Sequence, residues 1–260
     1  MTGDAPAQTN DRGPSPVFPT LGRDGMLLVL TGAAGCVDAI SYMGLGHVFT
    51  AMMTGNTVLL GLALGQGEVL AAVRSILALI GFALGVVLGA IIVESDQEQN
   101  DWPPAVTGAL AVEGVVLGVF TAAWHASRAE GAGAIYVLIL LLGLAMGIQA
   151  AAVRRLGVPG IATTYITGTV TSLFVDLVGW IRAVALRSAV ARSGDRVGAA
   201  ESHPVQWDQR VGLLAAVFVV YGFGAMVGGI LQSRASPLST LLPLLAVTFV
   251  AANALVRYSR

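Results

Sequence analysis

A chain of 260 residues that is 55% hydrophobic and 11% charged, with a mean hydropathy of +0.78, is too apolar for a soluble enzyme and belongs to the membrane class. Its net charge of −1 gives no reason to expect nucleic acid as a partner, because that binding needs a concentrated basic surface to neutralise phosphates. Cys36 is the single cysteine, which rules out an intramolecular disulfide framework and a multi-cysteine metal site.

Residues 1–25 are rich in Pro, Gly, Thr and Asp and read as a disordered cytoplasmic tail that lacks the apolar content to offset ordering entropy. Asp4 and Asp11 precede a long apolar segment, whereas a cleavable signal begins with basic residues, so the first span is expected to remain in the mature protein. Eight stretches have the roughly 20 apolar residues that a membrane-crossing helix requires. They cover residues 26–46, 48–65, 69–93, 105–124, 134–153, 160–180, 211–231 and 237–256. The expected fold class is therefore all-α, a polytopic membrane helix bundle of about eight spans, since a bilayer offers no water to unpaired backbone groups. In an alternative, the unusually polar stretches 48–65 and 160–180 re-enter without crossing, which leaves six.

All fourteen basic residues are arginines, and short cytoplasmic loops carry an excess of these. The connection 181–210 holds Arg182, Arg187, Arg192, Arg196 and Arg210, while 94–101 holds Glu94, Asp96, Glu98 and Asp101 with no base. These loops are expected on opposite sides, as eight crossings require. Both termini are then cytoplasmic in a plasma-membrane protein, with Arg154, Arg155 and Arg234 as the exceptions to the rule.

An internal repeat is visible. Gly35 to Leu64 aligns with Gly147 to Leu177 through the Leu45-Gly46 and Leu156-Gly157 turns, then Thr54-Gly55-Asn56 against Thr167-Gly168-Thr169. The next spans correspond through Gly81, Gly85 and Gly89 against Gly224 and Gly228. Two tandem membrane repeats follow, 26–126 and 133–258, the second containing the cytoplasmic loop 181–210. Four crossings per repeat would give halves of like orientation.

The run from Val37 to Gly65, VDAISYMGLGHVFTAMMTGNTVLLGLALG, and that from Gly147 to Leu173 resemble the YoaK-like family of bacterial transmembrane proteins, defined by a domain of unknown function. The resemblance covers most of the chain after the tail and rests on Asp38 with Thr54-Gly55-Asn56, and on Thr163-Thr164 with Thr167-Gly168. It implies a polytopic plasma-membrane protein and supplies no catalytic residues.

Polar residues inside the spans are the candidate site. Asp38 and Glu113 lie near the middle of the first and fourth spans, where an ionised carboxylate costs about 2.5 to 3.5 kcal/mol on insertion scales. Each reads as a proton or cation site facing an interior cavity, or more plainly as an interhelical hydrogen-bonding group. Asp176 is expected to pair at the interface with Arg182. Thr54, Gly55, Asn56 and Thr57, with Thr163, Thr164, Thr167, Gly168 and Thr169 in the other half, break apolar spans at matching positions, which marks a solute or ion pathway; helix packing is the plainer account. Gln149 and Asn253 are weaker members of this group. The ridges Gly81, Gly85, Gly89 and Gly224, Gly228 are expected to serve helix packing, within the chain or in a homodimer.

No H-E-x-x-H, G-x-S-x-G or P-loop motif occurs, so neither an enzyme nor an ATP-driven pump is expected, and no cofactor or metal is implied. The leading expectation is a secondary transporter or permease of a small solute, in which the polar segments line one cavity. A non-transporting membrane scaffold or regulatory protein is the alternative.

Overall fold

The structure, a computed structural model, describes residues 20–94, 96, 101–127, 133–158, 166–193 and 204–258. All secondary structure among them is helical: α1 (Arg23–Gly44), α2 (Met53–Gln66), α3 (Val69–Glu94), α4 (Pro104–Ser127), α5 (Ala134–Arg155), α6 (Ile166–Ser193), α7 (Pro204–Arg234), the single turn α8 (Ser236–Ser239) and α9 (Leu241–Tyr258). Seven of them have stretches long and apolar enough to cross a membrane, counting α8 and α9 together. The expected second span is shorter than the apolar pattern suggested. Residues 48–52 are not helical, and α2 has 14 residues, about 21 Å at 1.5 Å per residue, against a hydrocarbon core of about 30 Å.

Most of the expected tail lies outside the described residues, but its end is ordered. The helix α1 starts at Arg23, ahead of the expected 26, and Asn253 of α9 bonds both the backbone N–H and the carbonyl of Leu21, at 3.0 and 3.1 Å. Amide side chains can serve as donor and acceptor at once, so one asparagine ties the chain's entry to its exit.

The core is built on two seams, α1 against α7 and α3 against α5. Glycine makes both possible, because without a Cβ the backbones approach to contact. In α1/α7, a Cβ on Gly35 would collide with the carbonyl of Tyr221, one on Gly224 with the carbonyl of Gly32, and one on Gly228 would lie 2.6 Å from the Cys36 oxygen. In α3/α5, a Cβ on Gly147 would collide with the carbonyl of Phe82, one on Gly85 with that of Leu144, and one on Gly81 would stand 2.7 Å from the Leu140 oxygen. Residue numbers rise together along each seam, so both helix pairs are parallel.

The register of the other pairs fixes which ends meet. Along α4/α9, Trp102 stacks on Tyr258, Gly114 faces Thr248, and the Thr121 hydroxyl donates to the Thr240 carbonyl, so these helices are antiparallel. Gly46, just past α1, lies against Arg74 near the start of α3. Alternating eight crossings would make α4 parallel to α9 and put the start of α3 at the far end from Gly46; neither is the case. The element α2 leaves and returns at one end of the bundle.

The expected separation of the two charged loops also fails. Arg23 at the start of α1 lies 3.7 Å from Asp101, and Arg155 at the end of α5 donates to the Asp96 carbonyl at 2.9 Å. The acidic connection therefore shares an end with the start of α1, the ends of α5 and α9 and, because α7 parallels α1, the start of α7. Acidic residues contribute little to topology compared with arginines, so the acidic loop was poor evidence for sidedness.

The seams give a direct check. Gly85→Leu would drive a side chain into the α5 backbone, and overpacking of this kind costs about 1 to 3 kcal/mol or more, whereas Gly61 has open space around it. Purified G85L should lose thermal stability in detergent or fail to run as a single species on size exclusion, while G61L stays near wild type; equal behaviour would contradict the seam.

Candidate functional site

The non-helical segment 48–52 lies inside the bundle, where Val48, Thr50 and Ala51 are buried, and so it carries amides that no helix satisfies. An unpaired backbone group in such surroundings costs several kcal/mol. Asp38 provides the acceptor. Fifteen residues along α1, its Oδ1 accepts the backbone N–H of Thr50 at 2.9 Å, Ala51 at 2.7 Å and Met52 at 3.4 Å. Its Oδ2 accepts the hydroxyl of Tyr221 from α7. The carboxylate is 4% exposed, and both its oxygens have donors.

Asn56 completes the support. Its Oδ1 accepts the Phe49 N–H at 2.9 Å and its Nδ2 donates to the Phe49 carbonyl, replacing the two bonds a strand neighbour would make. A Cβ on Gly55 would lie 2.9 Å from atoms of the Met52 and Phe49 side chains, so glycine there lets the broken segment fold back over α2. Phe49 also stacks on Tyr42 at 5.1 Å. Asp38, Gly55 and Asn56 thus form one assembly that holds a chain break at depth.

Among the described residues, the other expected members do not join them in one cavity. Thr54 and Thr57 are exposed on α2, and the Thr57 hydroxyl donates to the Met53 carbonyl one turn back. The chief packing partner of α2 is α3, and that of α6 is α7. On α6, Thr167 is exposed, Gly168 half-buried and Thr169 buried, while Thr163 and Thr164 lie outside the described residues. The two Thr-Gly segments therefore sit on helices with different chief partners, α3 for one and α7 for the other.

Glu113 is fully buried, and neither carboxylate oxygen has a hydrogen-bond partner. It belongs to α4, which packs on α5, α9 and α3, so it does not share a site with Asp38. Gln149 joins α5 to α1, its amide donating to the Leu30 carbonyl at 3.2 Å. Asp176 pairs with Arg210 of α7 at 2.8 Å; Arg182, the partner expected from sequence distance, gives way to the base on the adjacent helix. Among the described residues, no cluster of His, Cys, Asp and Glu could hold a metal.

Tyr221 is the residue that sequence reasoning missed. Its signal was weak but present: tyrosine favours membrane interfaces, and this one lies deep within an apolar run with a hydroxyl that needs a partner. Chemically, the arrangement couples the break after α1 to α7 through one carboxylate.

Asp38→Ala would leave three amides without an acceptor, at about 1 to 3 kcal/mol each, whereas Tyr221→Phe deletes a single hydrogen bond, worth about 0.5 to 3 kcal/mol. D38A should therefore melt well below Y221F in the same detergent and show faster amide exchange at 50–52. If it melts no lower than Y221F, Asp38 is not what holds the break.

Residues 26–254 match the family profile described as "Protein of unknown function (DUF1275)". The chain is 45% identical over 157 residues to the UPF0700 transmembrane protein YoaK of Bacillus subtilis (strain 168), covering 60% of this chain and 68% of the relative. No solved structure matches it. Multi-helix transmembrane architecture, the matching profile and this identity agree: the chain belongs to the YoaK-like DUF1275 family of transmembrane proteins.

Proposed function

We propose that this protein is a secondary carrier of a small solute in the plasma membrane, built from a duplicated unit whose two copies are inverted. The observation that supports it is the exchange symmetry of the glycine seams. Gly35 corresponds to Gly147, Tyr221 to Phe82, Ala225 to Val86, Gly224 to Gly85 and Gly228 to Gly89. The contacts that Gly35, Gly224 and Gly228 make between α1 and α7 then have counterparts between α5 and α3: Gly35 meets Tyr221 and Ala225 as Gly147 meets Phe82 and Val86, Gly224 meets Gly32 as Gly85 meets Leu144, and Gly228 meets Cys36 as Gly89 meets Ile148.

In this arrangement each half sends three helices from end to end, α1, α3 and α4 against α5, α7 and α9, and holds one element, α2 or α6, that returns to the end it came from. An odd number of crossings inverts the second copy, so the relating axis lies in the membrane plane, as in carriers that work by rocking one repeat against the other. Sidedness follows from the arginines. Arg23, Arg154, Arg155, Arg210 and Arg257 collect at the end bearing the termini, against Arg74 and Arg234 at the other, which favours cytoplasmic termini.

The symmetry is broken at one joint. Asp38 and Tyr221 fall on Ala150 and Phe82 in the other seam, so only α1/α7 carries a polar latch. Such a latch gives the seams unequal strength, and protonation or a bound cation at Asp38 would act on the seam that also holds the break. A scaffold role through the glycine ridges is less supported, because both ridges are already used within the chain.

Two measurements test this. Cysteines placed at His47 and Glu68 in a Cys36→Ala background should both react with a membrane-impermeant maleimide from outside intact cells; labelling from opposite faces would make α2 a crossing and end the inverted arrangement. Proteoliposomes of the full chain should accumulate at least one of a panel of organic acids, amines and sugars under a proton or sodium gradient, with Asp38→Asn reducing the rate. No flux with any of them, and an unchanged cellular phenotype in D38N, would reject the carrier.

A further inference from the structure

At the end where α1 stops and α3 begins, a cavity of about 300 Å³ opens between the break, α2 and α3. Its polar lining is Arg74, His47, Gln66, Ser75 and Glu68. Arg74 lies in the second turn of α3, at the end of the bundle poor in arginine, where the orientation rule gives no reason for one. A cation inside a membrane bundle faces water or a partner, yet the buried Nε of Arg74 has no hydrogen-bond acceptor.

The guanidinium is also held in place. Gly46 has φ +85°, and a Cβ there would come within 2.6 Å of Nη1 and 2.8 Å of Cζ, so a bare backbone is what lets the group lie flat against the turn. The following residue, His47, is likewise left-handed at φ 64°, which places its ring at the same mouth. A guanidinium held against backbone with donors to spare suits a planar, bidentate oxyanion.

We propose that this cavity binds the carboxylate of a small organic monoanion, with Arg74 as the principal contact and Gln66, His47 and Ser75 as further donors. The charge count selects the class: one arginine shares the cavity lining with the exposed carboxylate of Glu68, which opposes a dianion such as phosphate. The apolar remainder of the wall, Val48, Leu59, Leu62, Ala63 and Ala71, accommodates a short carbon skeleton. The site is separate from Asp38 and does not depend on transport, so a carboxylate-binding protein without flux would retain it.

The test is thermal unfolding of the purified full chain, in neutral detergent free of anionic lipid, with sodium acetate, sodium phosphate or sodium chloride at matched ionic strength. Ligand that binds only the folded state raises the Tm with concentration. Acetate should do so beyond chloride and phosphate, Arg74→Gln should abolish the difference, and Arg74→Lys should keep only part of it. If R74Q does not fold, Gln66→Leu should weaken the apparent acetate affinity about fivefold, the equivalent of one hydrogen bond. Indistinguishable acetate and chloride, an undiminished shift in R74Q or in Q66L, or a shift produced by added phosphatidylglycerol but not by acetate would each overturn the proposal.

Discussion

Three backbone amides, those of Thr50, Ala51 and Met52, sit inside a helical membrane bundle with no helical partner, and one carboxylate accepts all three. In a bilayer interior neither water nor a sheet neighbour can take that role, so the break exists only because Asp38 faces it. Everything local follows from this constraint. Asn56 satisfies the amide and carbonyl of Phe49, Gly55 lets the segment fold back, and α2 starts at depth rather than at the surface.

The same carboxylate reaches beyond its own half. Tyr221 donates to it from α7, where α1 and α7 are pressed together by glycine. Close backbone contact of that kind leaves little room for sliding, since packed interfaces have discrete arrangements rather than a continuum. The parallel seam α3/α5 has the glycines but not the polar joint, so two geometrically alike contacts differ in their chemistry. This inequality makes α1/α7 the seam in which a polar side chain as well as close packing ties the two helices together.

The distribution of buried charge divides the interior into regions with different work. Asp38 is spent on backbone, Glu113 is enclosed between α4 and its neighbours without a partner, and Arg74 faces a cavity at one end. These are three environments rather than one central site.

Much of the fold is legible in the sequence. Apolar runs of about 20 residues declare helices because the bilayer thickness fixes their length, and so α1, α3, α4, α5, α7 and α9 fall close to where hydropathy puts them. Glycines spaced four apart announce close packing, and an acid at mid-span announces a partner. Hydropathy, however, has no direction: an apolar stretch that enters and turns back is as greasy as one that crosses, which is why 48–65 looked like a span. Direction came from the register of distant contacts, Gly46 on Arg74 and Thr121 on Thr240. Nor could sequence distance show that Asp38 would reach twelve residues ahead to Thr50 and across to Tyr221, because those bonds form only once α1 has been packed between the break and α7.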